Sequence, residues 1–323
     1  NRRGFSMKRI VLSALLAAAA AFVLPSLLSA QECAMNKTAA GATAPVKSGH
    51  IEAGGIRYYY EVYGDGKPVV LIHGLSCHVE DWLPNFNALA EHHRVYALDL
   101  PGHGRTDKPA RATYGATYLT EFVRDFMVAL QIPRAHVVGH SMGGAVATRL
   151  AFTHGELVDR LVLVAPAGLG PQVHLSLRLA SVPLLGERLM RLSRSGIASF
   201  ARMTVYDPLV IIEEKIDCDY ELAAQPGALE AVLRTARSGL NLLGQKKSLW
   251  GVNTGRLPYI TAPVLVIWGR QDPILPVAHA EVAAQALPNA RVQILDACGH
   301  VPMLEKTDAF NALLLDFFQE KNE

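Results

Sequence analysis

Val137-Val138-Gly139-His140-Ser141-Met142-Gly143-Gly144-Ala145-Val146-Ala147 is the stretch whose reading decides the fold. It opens as a valine-rich run suited to a strand and closes as an alanine-rich run suited to a helix. Ser141 therefore sits where a strand turns sharply into a helix. Glycine on either side permits close backbone approach, and the turn exposes the serine oxygen. A serine hydroxyl is a weak nucleophile until a base takes its proton. The helix that starts at the serine aims its first N–H groups at the place where negative charge would develop. Gly-x-Ser-x-Gly occurs by chance in many proteins, but between this strand and this helix it points to nucleophilic chemistry.

The same rhythm extends outward from the turn. Apolar runs at Pro68–Ile72, Arg94–Leu98, His136–Val138, Leu161–Val164, Val264–Trp268 and Val292–Leu295 alternate with helical patterns. Those patterns include Tyr118–Leu130, Met142–His154, Val277–Ala286 and Glu305–Phe318. Continuous apolar runs suit strands buried on both faces. Strands alternating with helices imply right-handed crossovers and an α/β, mostly parallel sheet. Ahead of them, His50–Ala53 and Ile56–Tyr63 flank Gly54-Gly55, the pattern of a β-hairpin.

One stretch breaks the rhythm. From Leu169 to Leu257 only helical patterns appear, such as Leu175–Leu192 and Ala228–Leu242. An insertion there leaves the carboxyl edge of the sheet, where α/β folds bind ligands, and it reads as a helical cap. The expected organisation is a signal segment over 1–30, a linker over 31–49, a core over 50–168 and 258–323, and a cap over 169–257.

The nucleophile needs a base and an acid to orient it, and both follow in order. Asp272 comes just after the Val264–Trp268 strand, and His300 just after the Val292–Leu295 strand. Both fall at carboxyl strand ends, on the edge that carries Ser141. Ser141, Asp272 and His300 are the expected catalytic residues: His300 takes and returns the proton while Asp272 holds the imidazole and stabilises its charged form. Asp296 is a rival acid, only four residues before the histidine, but its place in the loop suits the role less well than that of Asp272. Backbone N–H groups of Leu75, in His73-Gly74-Leu75, and of Met142 are the expected oxyanion hole.

From about His50 to the C-terminus the chain resembles the capped serine α/β-hydrolases. The resemblance rests on His73-Gly74, Asp99-Leu-Pro-Gly-His-Gly-Arg-Thr-Asp107, the Ser141 turn, Trp268-Gly-Arg-Gln-Asp272 and Gly299-His300. It implies the α/β-hydrolase fold, an eight-stranded sheet flanked by helices with the cap inserted after the sixth strand. The cap segment Val205–Glu214 and Ser141-Met142-Gly143-Gly144 also resemble the meta-cleavage-product C–C hydrolases. Against that subfamily, His140 stands where asparagine is usual and Val301 where tryptophan is usual. Cys218-Asp219-Tyr220-Glu221 stands where its cap supplies an arginine. Esterases and lipases are the better match.

Composition narrows the partners. The 323 residues are 50% hydrophobic and 19% charged, which suits a large buried core and excludes a disordered chain. Residues 1–30 carry Arg2, Arg3, Lys8 and Arg9 and no acid, so the remainder holds 27 basic against 29 acidic residues. Nothing there suits a nucleic acid, and a small ester-like molecule is the expected partner. Lys8-Arg9, the uncharged stretch from Val11 to Gln31 and the small residues Ser29-Ala30 form a secretory signal pattern cut near Ala30. Export to the periplasm or medium is expected, with no stable membrane insertion after cleavage. The alternative is an uncleaved anchor, since about 20 apolar residues span a bilayer. Oligomeric state is left open.

An oxidising compartment would permit disulfides, yet Cys33, Cys77, Cys218 and Cys298 are sparse for this length, and separate thiols are the preferred reading. Cys77 and Cys298 share the carboxyl edge of the sheet and are the pair weighed against it. His73, His103 and His140 read as loop-shaping residues, and lack the i, i+4 spacing of a helical zinc pair. No metal and no cofactor is expected. Asp99, Arg105 and Asp107 read as loop supports, and Trp82 and Trp268 as core. Leu175, Leu177, Val182, Leu184 and Leu185 read first as a helix-packing set and second as an acyl-binding wall.

The expected activity is hydrolysis of carboxylic esters of small to medium acyl chain through an acyl-enzyme. C–C bond, lactone or perhydrolase activity on the same three residues is the alternative within enzymes. A non-catalytic ligand-binding role is the alternative outside them.

Overall fold

The computed structural model describes residues 43–320. Its eight-stranded sheet is built from β1 (Lys47–Ala53), β2 (Ile56–Tyr63), β3 (Lys67–Ile72), β4 (His93–Leu98), β5 (Ala135–His140), β6 (Val158–Val164), β7 (Val264–Gly269) and β8 (Ala290–Leu295). The spatial order is β1-β2-β4-β3-β5-β6-β7-β8. β1 and β2 form the expected antiparallel hairpin, and β2 runs antiparallel to β4. Every pairing from β4 through β8 is parallel.

Alternation along β3 explains the two-faced burial. Val70 and Ile72 join one core with Phe122, Phe126, Val146 and Leu150, from the helices Ala116–Ala129 and Met142–Thr153. Val69 and Leu71 join a second core on the other face with Phe86, Phe310 and Leu314, from Leu83–Ala90 and Thr307–Gln319. A strand feeding two cores has no solvent face, so its sequence is apolar from Pro68 onward.

Two boundaries differ from the sequence reading. β1 begins at Lys47, inside the expected 31–49 linker. As an edge strand it is largely exposed, so Lys47, Ser48 and Gly49 carry no apolar signal. The expected Leu175–Leu192 helix is two short helices, Leu175–Ala180 and Leu185–Leu189. Pro183 and a left-handed Leu184 at φ 66° separate them, because proline disfavours helix continuation through it. The expected signal segment and most of the linker lie outside the described residues.

Between β6 and β7 the chain forms further helices at Arg194–Met203, Glu213–Ala223, Ala228–Gly239 and Lys247–Arg256. Buried charges tie this insertion to the core. Lys215 Nζ lies 2.6 Å from Asp81 Oδ1 and 2.9 Å from Asp219 Oδ1. His78 sits between Glu80 and Asp219, one ring nitrogen 2.8 Å from each. Burial pulls the His78 imidazole down, but Asp81, Asp219 and Glu80 outweigh it and hold it up at about 10. The cap helix Glu213–Ala223 is thus held by charges that are largely buried.

Candidate active site

Ser141 occupies the tip of the turn between β5 and the Met142–Thr153 helix, with φ 52° and ψ −114°. Two glycines make that geometry possible. A Cβ on Gly143 would lie 2.3 Å from the Ile72 carbonyl oxygen, and one on Gly139 would lie 2.4 Å from that of Gly143. The Ser141 N–H donates to Val164 O at 2.9 Å, and its carbonyl accepts from Ala167 N at 2.9 Å, which fixes the turn against β6.

His300 Nε2 is 2.9 Å from Ser141 Oγ, and His300 Nδ1 is 2.8 Å from Asp272 Oδ2. An ionised carboxylate only accepts, so Nδ1–H donates to Asp272 and Nε2 accepts the Ser141 hydroxyl proton. The Asp272 side chain is fully buried. Its Oδ1 takes the N–H groups of Ile274 and Leu275 at 2.8 and 3.0 Å. Its Oδ2 takes the Trp268 indole N–H at 2.9 Å as well as His300. All three expected residues therefore meet in one chain of hydrogen bonds.

Asp296 does not join them. It is exposed and paired with Arg270. Leu75 and Met142 line the same cavity as Ser141. Met142 opens its helix, where the first N–H groups have no intrahelical acceptor.

The other motif residues support loops. His73 donates from Nδ1 to Gly74 O at 2.7 Å and accepts Leu100 N–H at 2.9 Å, and burial pushes it down to about 3. His140 donates to the His300 carbonyl at 2.9 Å; burial and the neighbouring His300 also bring it to about 3. It therefore braces the base as a neutral ring. His103 bonds Pro101 O at 3.0 Å. Asp99 accepts the N–H groups of Val79 and Arg105, each at 2.8 Å, and burial together with Glu80 raises it to about 6. Asp107 accepts Arg57 N–H at 3.0 Å, and the Arg105 guanidinium pairs with Glu80 at 2.7 Å.

Sequence reasoning missed three contributors. Trp268 is core, as expected, but its indole also steers Asp272. Its place four residues before the acid, across the tight Gly269–Gln271 turn, was the available signal. Glu305 accepts Gly299 N–H and Tyr206 N–H, both at 2.7 Å, clamping the His300 loop to the cap; burial raises its carboxyl. Thr204 O accepts His300 N–H at 2.7 Å. Neither contact has a local pattern in the sequence.

The site opens into a cavity of about 280 Å³. Met142, Ala145 and Val146 form one wall, and Val173, Leu177 and Leu249 of the insertion form another. Leu177 packs against the core, as expected, and also lines this cavity, whereas Leu175, Leu184 and Leu185 are exposed and do not join it.

The thiols also depart from expectation in part. Cys77 and Cys298 are free, so they do not pair with each other. Cys218 is disulfide-bonded rather than a separate thiol. Spacing alone could not choose it, since bridging depends on Cα separation. His78, Glu80 and Cys218 converge, but both His78 nitrogens are engaged and the Cys218 sulfur is committed, so the trio is not a free donor set.

Residues 67–307 match the family model described as alpha/beta hydrolase fold. The chain belongs to that family. An uncharacterized protein of Mycobacterium tuberculosis is 33% identical, with 77% of this chain and 74% of that one covered. A meta-cleavage product hydrolase from Pseudomonas fluorescens is similar at a TM-score of 0.74 and 28% identity, covering 86% of this chain and 99% of that one. A membrane phospholipase A is similar at 0.72 and 28% identity, covering 96% and 98%.

Proposed function

We propose that the chain hydrolyses carboxylic esters of small to medium acyl chain. The observation that carries this reading is the Ser141–His300–Asp272 hydrogen-bond chain opening onto an apolar cavity. His300 takes the hydroxyl proton as Ser141 Oγ attacks the ester carbonyl. Negative charge gathers on the carbonyl oxygen, where the N–H groups of Leu75 and Met142 stabilise it more than they do the neutral substrate. The C–O bond breaks and His300 returns the proton to the departing alcohol, leaving Ser141 acylated. Water, deprotonated by the same imidazole, then releases the acid and regenerates the serine. Asp272 stays ionised throughout and favours the charged form of His300.

A second reading is C–C cleavage of a dienoate, supported by a 2-hydroxy-6-oxo-6-phenylhexa-2,4-dienoate hydrolase of Comamonas testosteroni, 29% identical over 81% of this chain. Ester cleavage is preferred because His140 and Val301 stand where the C–C hydrolases usually carry asparagine and tryptophan, and Cys218-Asp219-Tyr220-Glu221 stands where their cap supplies an arginine. A panel of p-nitrophenyl esters, a lactone and a dienoate decides between them. Ester turnover with no dienoate cleavage is expected, and the reverse overturns the reading.

Export with cleavage near Ala30 is part of the same proposal, and rests on the basic and apolar pattern of residues 8–30. Mass spectrometry of the mature protein should find Gln31, or a residue within a few positions of it, at the N-terminus. A full-length species confined to membranes establishes the anchor instead. Among the described residues, no helix is long and apolar enough to cross a membrane.

A further inference from the structure

The cavity beside Ser141 runs along one face of the Met142–Thr153 helix. Ser141, Ala145 and Arg149 succeed each other at i, i+4 and i+8, and all three line it. Eight residues of helix rise about 12 Å, so the cavity has a nucleophile near one end and a guanidinium toward the other.

Arg149 is unlike the other arginines of the molecule's ion-pair networks. Among the described residues no carboxylate lies within ion-pair distance of it. Its Nη1 donates to Thr117 Oγ1 at 3.3 Å and its Nη2 to Asn253 Oδ1 at 3.4 Å, two long contacts to neutral oxygens. Its Nε is buried and has no hydrogen-bond partner. Its remaining neighbour of note is the Phe152 ring, 5.6 Å away. Burial alone lowers its affinity for the proton, since nothing nearby compensates the charge. A half-buried guanidinium with a vacant donor is a poor structural element, because desolvated charge without a partner is destabilising. It is a good receptor for a planar anion, which a guanidinium grips through two parallel N–H donors.

We propose that Arg149 is a specificity residue that binds a carboxylate at the far end of the acyl group, so that the preferred substrates are monoesters of medium-length dicarboxylic acids. This rests on the ester-hydrolase reading and names its substrate class. The apolar side chains of Met142, Ala145, Val146 and Leu177 contact the methylene chain, while Thr117 and Asn253 orient the guanidinium.

The test compares p-nitrophenyl hydrogen suberate with p-nitrophenyl octanoate, which differ at the chain end. Wild type should favour the suberate ester in kcat/KM by ~10-fold or more, a preference that shrinks as salt is raised. Arg149→Met should bring that ratio toward one, chiefly by raising KM for the suberate ester, as expected for uniform binding. Arg149→Lys should keep part of the ratio, because it retains the charge and loses the fork. Equal use of both esters by wild type, or a ratio untouched by Arg149→Met, overturns the proposal and leaves the ester reading intact. Should the variant not fold, the salt dependence of the wild-type ratio decides. If wild type cleaves neither ester, the ester reading fails, and calorimetric binding of suberate against octanoate to Ser141→Ala still judges Arg149: equal affinities overturn its role.

Discussion

The Trp268 indole N–H donates to Asp272 Oδ2 at 2.9 Å, the same oxygen that receives His300 Nδ1–H at 2.8 Å. The acid that orients the base is itself oriented from a strand, four residues earlier in the chain. Trp268→Phe keeps the ring's packing and removes this donor. A loss in kcat of roughly 10-fold is expected, the size typical when an outer supporting hydrogen bond is removed. Steady-state kinetics check it; unchanged kcat shows that Ile274 and Leu275 hold Asp272 unaided.

Asp272→Asn should cost far more, roughly 10⁴-fold in kcat, because the amide favours the wrong imidazole tautomer. Asp296→Asn should be mild, since Asp296 is exposed and, among the described residues, pairs with Arg270 alone. Kinetics of the two variants side by side give the answer. A severe Asp296 effect with a mild Asp272 effect would reverse the assignment.

Ser141→Ala and His300→Ala should each remove nearly all turnover, by roughly 10⁴-fold or more, and the double variant should lose little further. Residues that act as one unit do not lose activity additively. Additive losses in the double variant contradict the shared proton transfer inferred from the 2.9 Å contact.

Much of this arrangement was legible in the sequence, and for a physical reason. Ser141 and Asp272 each follow a strand buried on both faces and His300 follows the half-buried edge strand β8, so an apolar run marks the position of each and the sheet gathers the run ends on one edge. Glu305 and Arg149 act through partners distant in the sequence, and the indole donor of Trp268 is hidden behind an ordinary packing pattern. Their roles needed coordinates. The cap was readable as helical but not as broken, since a leucine pattern of helical period continues through Pro183. β1 was cut short because an exposed edge strand need not be apolar. Cys218 was undecidable, because four cysteines allow three full pairings.

Gly143→Ala should be strongly destabilising even though alanine favours helices. The added methyl would meet the Ile72 and His73 carbonyl oxygens at 2.3 and 2.5 Å, and backbone cannot yield as a flexible side chain does. A fall in Tm, or loss of soluble protein, is the expected outcome, measured by thermal unfolding. A variant as stable as wild type contradicts the close approach of helix and β3.

The buried His78 gives a pH signature to stability. Its imidazole titrates near 6.5 when unfolded and at about 10 in the folded state. A raised pKa contributes stability that is complete below pH 6.5 and is lost as pH rises through about 10. The Tm advantage of wild type over His78→Gln should therefore be widest near pH 6 and shrink toward pH 10. A gap that stays constant across that range shows that the ion cluster does not hold His78 charged.

The helical insertion also orders events during synthesis. Leu161 of β6 pairs with Val264 of β7 only after the whole insertion has been made, and Ser141 reaches His300 across 159 residues. A chain emerging N-terminal end first presents its nucleophile, the elbow and the open edge of β6 well before the strands that cover them exist. Such unpaired apolar edges invite mispairing and association in nascent or slowly folding chains. The same topology delays the acid and the base to the last third of the chain, so no truncated product ending before Asp272 contains a serine with its base. The nascent enzyme is chemically silent during the interval in which it is most prone to stick.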